Sequence, residues 1–284
     1  MRSFLKGSVL TVAVLMVCSL SAVAQNNAQA GQGGQGRQGN AQRPASNKFD
    51  NMKNDSGGPA PVHDLTGTWL GRNEPQMIKD VPPLTPLGQK MMALNKPEDK
   101  YADSGTNDPW YLTCDPLGFP RSVINQTRGL SFAQMKDKIV VLDQYNRVWR
   151  EVWMDGRPLP TGFGTKNGPD PTWYGYSVGH WDGDNVLVIQ TSGSRPDSWV
   201  DKQGHPHSVN GIYTERYTRK DHNNLTVTVS IDDPAMYTKP WDIAVNNFKW
   251  SPDQDFEEQI CVPSEGIKYR EVVGVPAGDG SNAN

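Results

Sequence analysis

Between Pro171 and Gln190, two runs of aromatic and β-branched residues flank the turn Trp181-Asp182-Gly183-Asp184. Glycine takes positive φ without steric cost and aspartate tolerates it, so Asp-Gly between two such runs predicts a two-residue β-hairpin. An antiparallel hairpin this rich in Trp, Tyr and Val points to an all-β domain, and other segments repeat the pattern. Leu225, Val227, Val229 and Ile231 alternate with Thr226, Thr228 and Ser230, as a half-buried antiparallel strand requires. The run from Lys138 to Leu142 is apolar on both faces and belongs nearer the centre of a sheet.

Further strands are predicted over 65–70, 131–135, 138–145, 148–154, 210–219, 243–250 and 256–262, which gives about nine at regular spacing with no helices between them. One short helix is predicted near 86–95. Thr85 caps it, Pro86 takes the first helical position, and Pro97 lies beyond its end. Residues 97–128, punctuated by Pro and Gly, read as mostly irregular. The architecture expected is an antiparallel meander closing into a barrel, with a β-sandwich as the alternative. Closure has the advantage of leaving no exposed strand edge.

The ends of the chain are of a different kind. Arg2 and Lys6 precede an apolar run from Val9 to Leu20, which is shorter than a membrane span. Ala22-Val23-Ala24 then supplies the small-x-small pattern of a signal-peptidase site. Residues 1–24 are thus expected to be an export signal, cleaved after Ala24. Residues 25–48, built of Gln, Gly, Asn and Ala, cannot bury enough surface to offset their ordering entropy and read as a linker. One folded domain is expected over 64–275, about 210 residues, with a loose tail over 276–284. Losing Arg2 and Lys6 takes the formal charge from −3 to −5. A mildly acidic chain without a basic stripe offers nothing to nucleic acid, and no later segment could span a bilayer as a helix.

Cys114 and Cys261 remain after signal removal, and an even pair in an exported chain predicts one disulfide. It would close a loop of about 147 residues, worth about 4–5 kcal/mol in the loop-entropy account.

The residues that could carry chemistry are few. His205-Pro206-His207 puts two imidazoles on one side of an extended chain, where a carboxylate such as Glu215 would supply a third metal ligand; a turn with one hydrogen-bonded histidine is the commoner meaning, and no metal is expected. Strand parity puts Tyr213, Glu215 and Tyr217 on one face. Facing inward, Glu215 would be a desolvated acid or base among aromatics; facing outward, it would be an ordinary surface charge. Trp149, Glu151 and Trp153 share a face in the same manner, opposite Arg150. Gly175-Tyr176-Ser177-Val178-Gly179 spells a nucleophile elbow, but it lies in a hairpin arm with no helix after it. No phosphate loop or dinucleotide fingerprint is present, and no cofactor is expected.

Gly67-Thr68-Trp69 resembles the Gly-x-Trp at the first strand of lipocalin-like (calycin) barrels. That resemblance implies a barrel whose base is closed by Trp69, with a basic residue from a late strand packed on it. A second resemblance covers most of residues 64–266. Its segments include Cys114-Asp-Pro-Leu-Gly-Phe-Pro-Arg121, Trp149-Arg-Glu-Val-Trp-Met-Asp-Gly-Arg157, Trp173 to Asp184, Trp199 to Ser208 and Lys239-Pro-Trp241. It is similar to a family of exported bacterial proteins of unknown function, and implies export and a shared fold rather than a reaction.

The function expected is a periplasmic or secreted barrel that binds a hydrophobic to amphipathic small molecule. Trp173, Tyr176, Trp199, His205, His207, Glu215 and Trp241 would line its pocket or mouth. Two alternatives remain open: a hydrolase, isomerase or lyase with Glu215 or His207 as acid/base, and a carbohydrate-binding module that presents exposed tryptophans.

Overall fold

The computed structural model describes residues 53–71, 76–77, 80–97, 106–124, 129–145, 147–256 and 258–264. The expected signal peptide, the linker and the 276–284 tail lie outside the described residues. Ten strands and three short helices follow one another: β1 (Gly67–Gly71), β2 (Gln76–Met77), α1 (Pro86–Leu94), α2 (Pro109–Thr113), α3 (Arg121–Ile124), β3 (Gly129–Gln134), β4 (Lys138–Asp143), β5 (Val148–Trp153), β6 (Tyr176–Trp181), β7 (Val186–Ser192), β8 (Ile212–Arg219), β9 (Asn224–Asp232) and β10 (Trp241–Trp250). Nine of the strands pair in the order β1-β3-β4-β5-β6-β7-β8-β9-β10, and β10 returns to β1 to close a barrel. The two-residue β2 adds to β10 as a spur.

Three expectations need correction. The meander is not wholly antiparallel: β5 and β6 run parallel and pair at only two positions, Val152 with Ser177 and Trp153 with Val178. The 22 residues between them return the chain to the starting edge, which a hairpin cannot do. The segment 256–262 is not a strand; Gln259 makes a single bridge to Tyr145, and β10 completes the barrel instead. Finally, the hairpin loop is wider than two residues. Strand structure stops at Trp181 and resumes at Val186, with Gly183 at φ +70° taking the left-handed position in the loop.

Thr85 does cap α1, accepting from Gly88 N at 3.0 Å, with Pro86 next to it. Inside the barrel, alternate positions of each strand form the core, among them Phe132, Val141, Val152, Ile189, Val227 and Phe248.

The strand registers define two ends. At one, Trp69 is fully buried and donates Nε1–H to the Leu65 carbonyl at 2.8 Å. Arg219, at the close of β8, lays its guanidinium over the Trp69 ring, Cζ 4.9 Å from the centroid. Its N–H groups bond the Asp64 carbonyl at 2.6 Å and the His222 carbonyl at 2.7 and 3.1 Å. Arg219 is thus the basic residue from a late strand that packs on the first-strand tryptophan, and it seals this base.

The opposite end lies beneath α2, α3 and the loop 194–210. Asp108 caps α2 through Trp110 N and grips Arg121 of α3 with both oxygens, at 2.8 and 2.5 Å. The Arg121 guanidinium faces Trp110 and Trp199, each 5.8 Å from its Cζ. A disulfide joins Cys114, just after α2, to Cys261, with Cα atoms 5.5 Å apart. Among the described residues no helix is long and apolar enough to cross a membrane.

Candidate functional site

The capped end of the barrel holds an ionic cluster that an apolar core does not need. On β8 the inward parity carries Tyr213, Glu215, Tyr217 and Arg219, all buried. On β5 the inward parity carries Arg150 and Val152, while Trp149 and Glu151 face solvent. On β4 it carries Ile139, Val141 and, as the last inward position, Asp143.

Arg150 and Glu215 meet as a buried fork, Nη1 to Oε2 at 2.6 Å and Nη2 to Oε1 at 2.8 Å. Tyr217 donates its hydroxyl to Glu215 Oε1 at 2.7 Å, so the carboxylate accepts three bonds. Arg150 Nη1 also reaches Thr191 Oγ1 at 3.1 Å, and Thr191 bonds Ser177 Oγ at 2.8 Å. The Phe119 ring covers the guanidinium, with Cζ 4.3 Å from its centre. These contacts span the seam where β5 and β6 pair over two residues only, so the side chains of β5, β6, β7 and β8 close a wall that the backbone leaves open. Burial opposes the charge on Arg150, but the Glu215 carboxylate more than offsets this and holds the guanidinium above its ordinary value.

Asp143 is the outlier. It is buried, and neither carboxylate oxygen has a hydrogen-bond partner. It sits one position diagonal to Arg150, since Val141 pairs with Arg150 and Asp143 with Val148. Loss of solvent pushes its carboxyl up to about 7; Arg150 pulls the other way, and Glu215 adds to the rise. Tyr174, nearby, is raised by burial first and by Asp143 second. The Tyr213 hydroxyl and the Trp241 indole N–H at this end also have no partner, nor do Trp110 Nε1, Arg121 Nε, Ser122 Oγ and Ser194 Oγ in the elements that cover it.

The residues singled out from sequence fall into separate places. His207 is fully buried in the loop after β7. Its Nδ1 faces the Ser208 carbonyl at 3.2 Å, which assigns the proton there and leaves Nε2 towards Ser198 Oγ at 3.0 Å. Burial lowers its pKa. His205 instead bonds Asp201 Oδ2 through Nδ1 at 2.6 Å and lies edge-on to Trp241, with centroids 5.0 Å apart. The two histidines therefore have different partners. Among the described residues, no three His, Cys, Asp or Glu side chains gather to hold a metal ion.

Glu215 and His207 are joined by no hydrogen bond or ion pair among the described residues; Tyr213, edge-on to the His207 ring at 5.9 Å, belongs to both neighbourhoods. Trp199 and Trp241 are buried, and Trp173 lies under the Arg195 guanidinium at 4.3 Å. Tyr176 takes the outward parity of β6 and accepts from Arg157 Nη1 at 2.9 Å. None of these four aromatics is an exposed platform; the tryptophan that is open to solvent is Trp149, 66% exposed on β5.

Sequence reasoning passed over Asp143 and Arg150. The available signal was parity. Asp143 continues the series Ile139, Val141, and Arg150 shares the face of Val152 rather than that of Trp149 and Trp153.

Chemically, the ionic cluster offers one buried carboxyl with open lone pairs beside a cation already committed to Glu215, and the same end of the barrel carries an unpartnered phenol and indole donor among other neighbours. Neither a family model nor a curated protein matches this chain.

Proposed function

We propose that the protein is an exported barrel that binds a small, hydrophobic to amphipathic molecule inside the barrel, at the end under α2 and α3. One observation carries this reading. The base is sealed by Trp69 and Arg219, with the Trp250 indole N–H unpartnered there, while most of the unpartnered buried groups lie at the other end: the Asp143 carboxyl, the Tyr213 hydroxyl and the Trp241 N–H, and in the cap Trp110 Nε1, Arg121 Nε, Ser122 Oγ and Ser194 Oγ. Buried polar groups are almost always bonded, and each one left open costs about 1–3 kcal/mol. Their concentration at one end of the barrel fits a site whose partners arrive with a ligand. The disulfide and the signal-like N-terminus support export, and the tryptophan–arginine base supports the lipocalin-like resemblance.

A neutral fluorescent dye, N-phenyl-1-naphthylamine, tests the reading. One saturable site is expected, lost when Ile189→Trp or Val229→Trp fills the interior. Absence of saturable binding, or binding untouched by both folded variants, overturns it.

Acid/base catalysis on the same barrel is the second reading, and the near-neutral Asp143 favours it over roles for Glu215 or His207. It requires that a bound ligand be turned over, and that Asp143→Asn abolish turnover without abolishing binding.

A further inference from the structure

Asp143 is buried on the inward face of β4, level with the Arg150–Glu215 fork, and both of its oxygens are open. The adjacent cation cannot serve it. Arg150 spends Nη1 on Glu215 and Thr191, spends Nη2 on Glu215, and is covered by Phe119. Arg150 and Glu215 satisfy each other as a pair, so among the described residues an ionised Asp143 has no counter-charge of its own. Resting on the proposal that this interior holds a small molecule, we infer that the ligand is an organic ammonium whose N–H groups bond the Asp143 carboxylate.

Three candidate head groups differ in what they bring. A carboxylate would add a second unpaired negative charge. A hydroxyl would satisfy one lone pair and leave the charge. An ammonium supplies up to three donors and the missing positive charge in one group. The surroundings suit it. The Tyr174 phenol, raised by burial first, is raised further by the Asp143 carboxylate, so an aromatic ring stands near the carboxyl. Among the described residues, the charged and titratable groups that act on Asp143 are Arg150 from β5, Glu215 and Tyr217 from β8, and Tyr174, which precedes β6 and has Tyr145 beside it. Arg150 is the cation in that set, and it is held by Glu215.

Binding an ammonium requires the ionised carboxylate, whereas the empty site keeps its proton up to about pH 7. Ligand uptake below that pH therefore expels a proton, and affinity falls about tenfold for each pH unit below 7 and levels off above it.

Hexylamine, hexanol and hexanoate share a tail and differ in the head, and each is titrated against the bound dye between pH 5 and 8.5. Hexylamine is expected to displace the dye at least tenfold more effectively than either congener at pH 8, with the acid-side slope in the wild type. Asp143→Asn should lose both the preference and the slope. The variant removes an unpaired buried acid, so its fold is not at risk, and the wild-type pH profile stands without it. If the dye binds but hexanol or hexanoate matches hexylamine, or Asp143→Asn keeps the preference, the ammonium inference fails and the binding barrel stands. If neither dye nor amine binds, both fall.

Discussion

Asp143 and Glu215 lie around one guanidinium, and Glu215 holds it: Arg150 points both terminal nitrogens at Glu215 and neither at Asp143. Two inward carboxyls served by one cation cannot both be ionised cheaply in a desolvated wall. The site divides the roles. Glu215 takes three donors, and Asp143, with none, is the carboxyl that burial pushes up to about 7.

That division has a thermodynamic signature. Asp143 titrates near 7 in the folded chain against 3.8 when solvated. Between those values the folded state holds a proton that the unfolded state releases, so this group's contribution to stability declines as pH rises through the window, by about 4 kcal/mol in all. Asp143→Asn removes that slope and should raise stability at pH 8 relative to the wild type. Urea midpoints of the two proteins at pH 4.5, 6, 7.5 and 8.5 provide the check; parallel curves would contradict the assignment.

The Arg150–Glu215 fork behaves oppositely. Removing one member strands the other charge in the wall, so Arg150→Met alone or Glu215→Leu alone should cost about 3–5 kcal/mol. Replacing both leaves no buried charge in that pair and should recover much of the loss. A double-mutant cycle in denaturant unfolding reads the coupling, and additive losses would show that the two side chains do not depend on each other.

At the sealed base, Trp69→Ala should cost about 3–5 kcal/mol by opening a cavity in the core. Arg219→Lys retains the charge but not the planar fork that reaches both the Asp64 and His222 carbonyls, and should lose about 1–3 kcal/mol. Hydrogen exchange at the Leu225 and Trp250 amides should quicken in both variants, while exchange at Thr191 stays slow. An unchanged base in Arg219→Lys would mean that charge alone suffices there.

How much of this was legible in the chain follows from what strand periodicity encodes. The alternation of Leu225 to Ile231 specifies a face without any partner, and Thr85-Pro86 specifies a helix start, so those elements emerge directly. The β5–β6 pairing does not, because it joins strands separated by a long excursion and rests on two residue pairs that leave no local pattern. The strand expected at 256–262 failed for the complementary reason: β1 already occupied the edge of β10, and the segment was left with the single bridge from Gln259 to Tyr145. In the site, Glu215 was visible because aromatics flank it. Arg150 was obscured because two tryptophans on the opposite parity drew attention to the solvent face. Asp143 was obscured because a carboxylate at the end of a strand ordinarily belongs to a turn, and only the closed wall puts it inside.

The cap offers the last test. The disulfide closes a span of 147 residues, from just after α2 to the segment that bridges Tyr145. Loop entropy alone assigns it about 4–5 kcal/mol. The same stretch also draws on the buried Asp108–Arg121 pair between Trp110 and Trp199, so the cap has two fastenings of different chemistry. Cys114→Ser with Cys261→Ser should therefore lower global stability by about 2–5 kcal/mol while leaving α2 and α3 docked. Asp108→Asn should instead loosen the cap locally, since it leaves Arg121 buried against two rings without its counter-charge. Exchange of the Leu112 and Val123 amides separates the two cases: early and selective in Asp108→Asn, coincident with global unfolding in the cysteine variant. Selective early exchange in the cysteine variant would make the disulfide, rather than the ion pair, the clasp over the site.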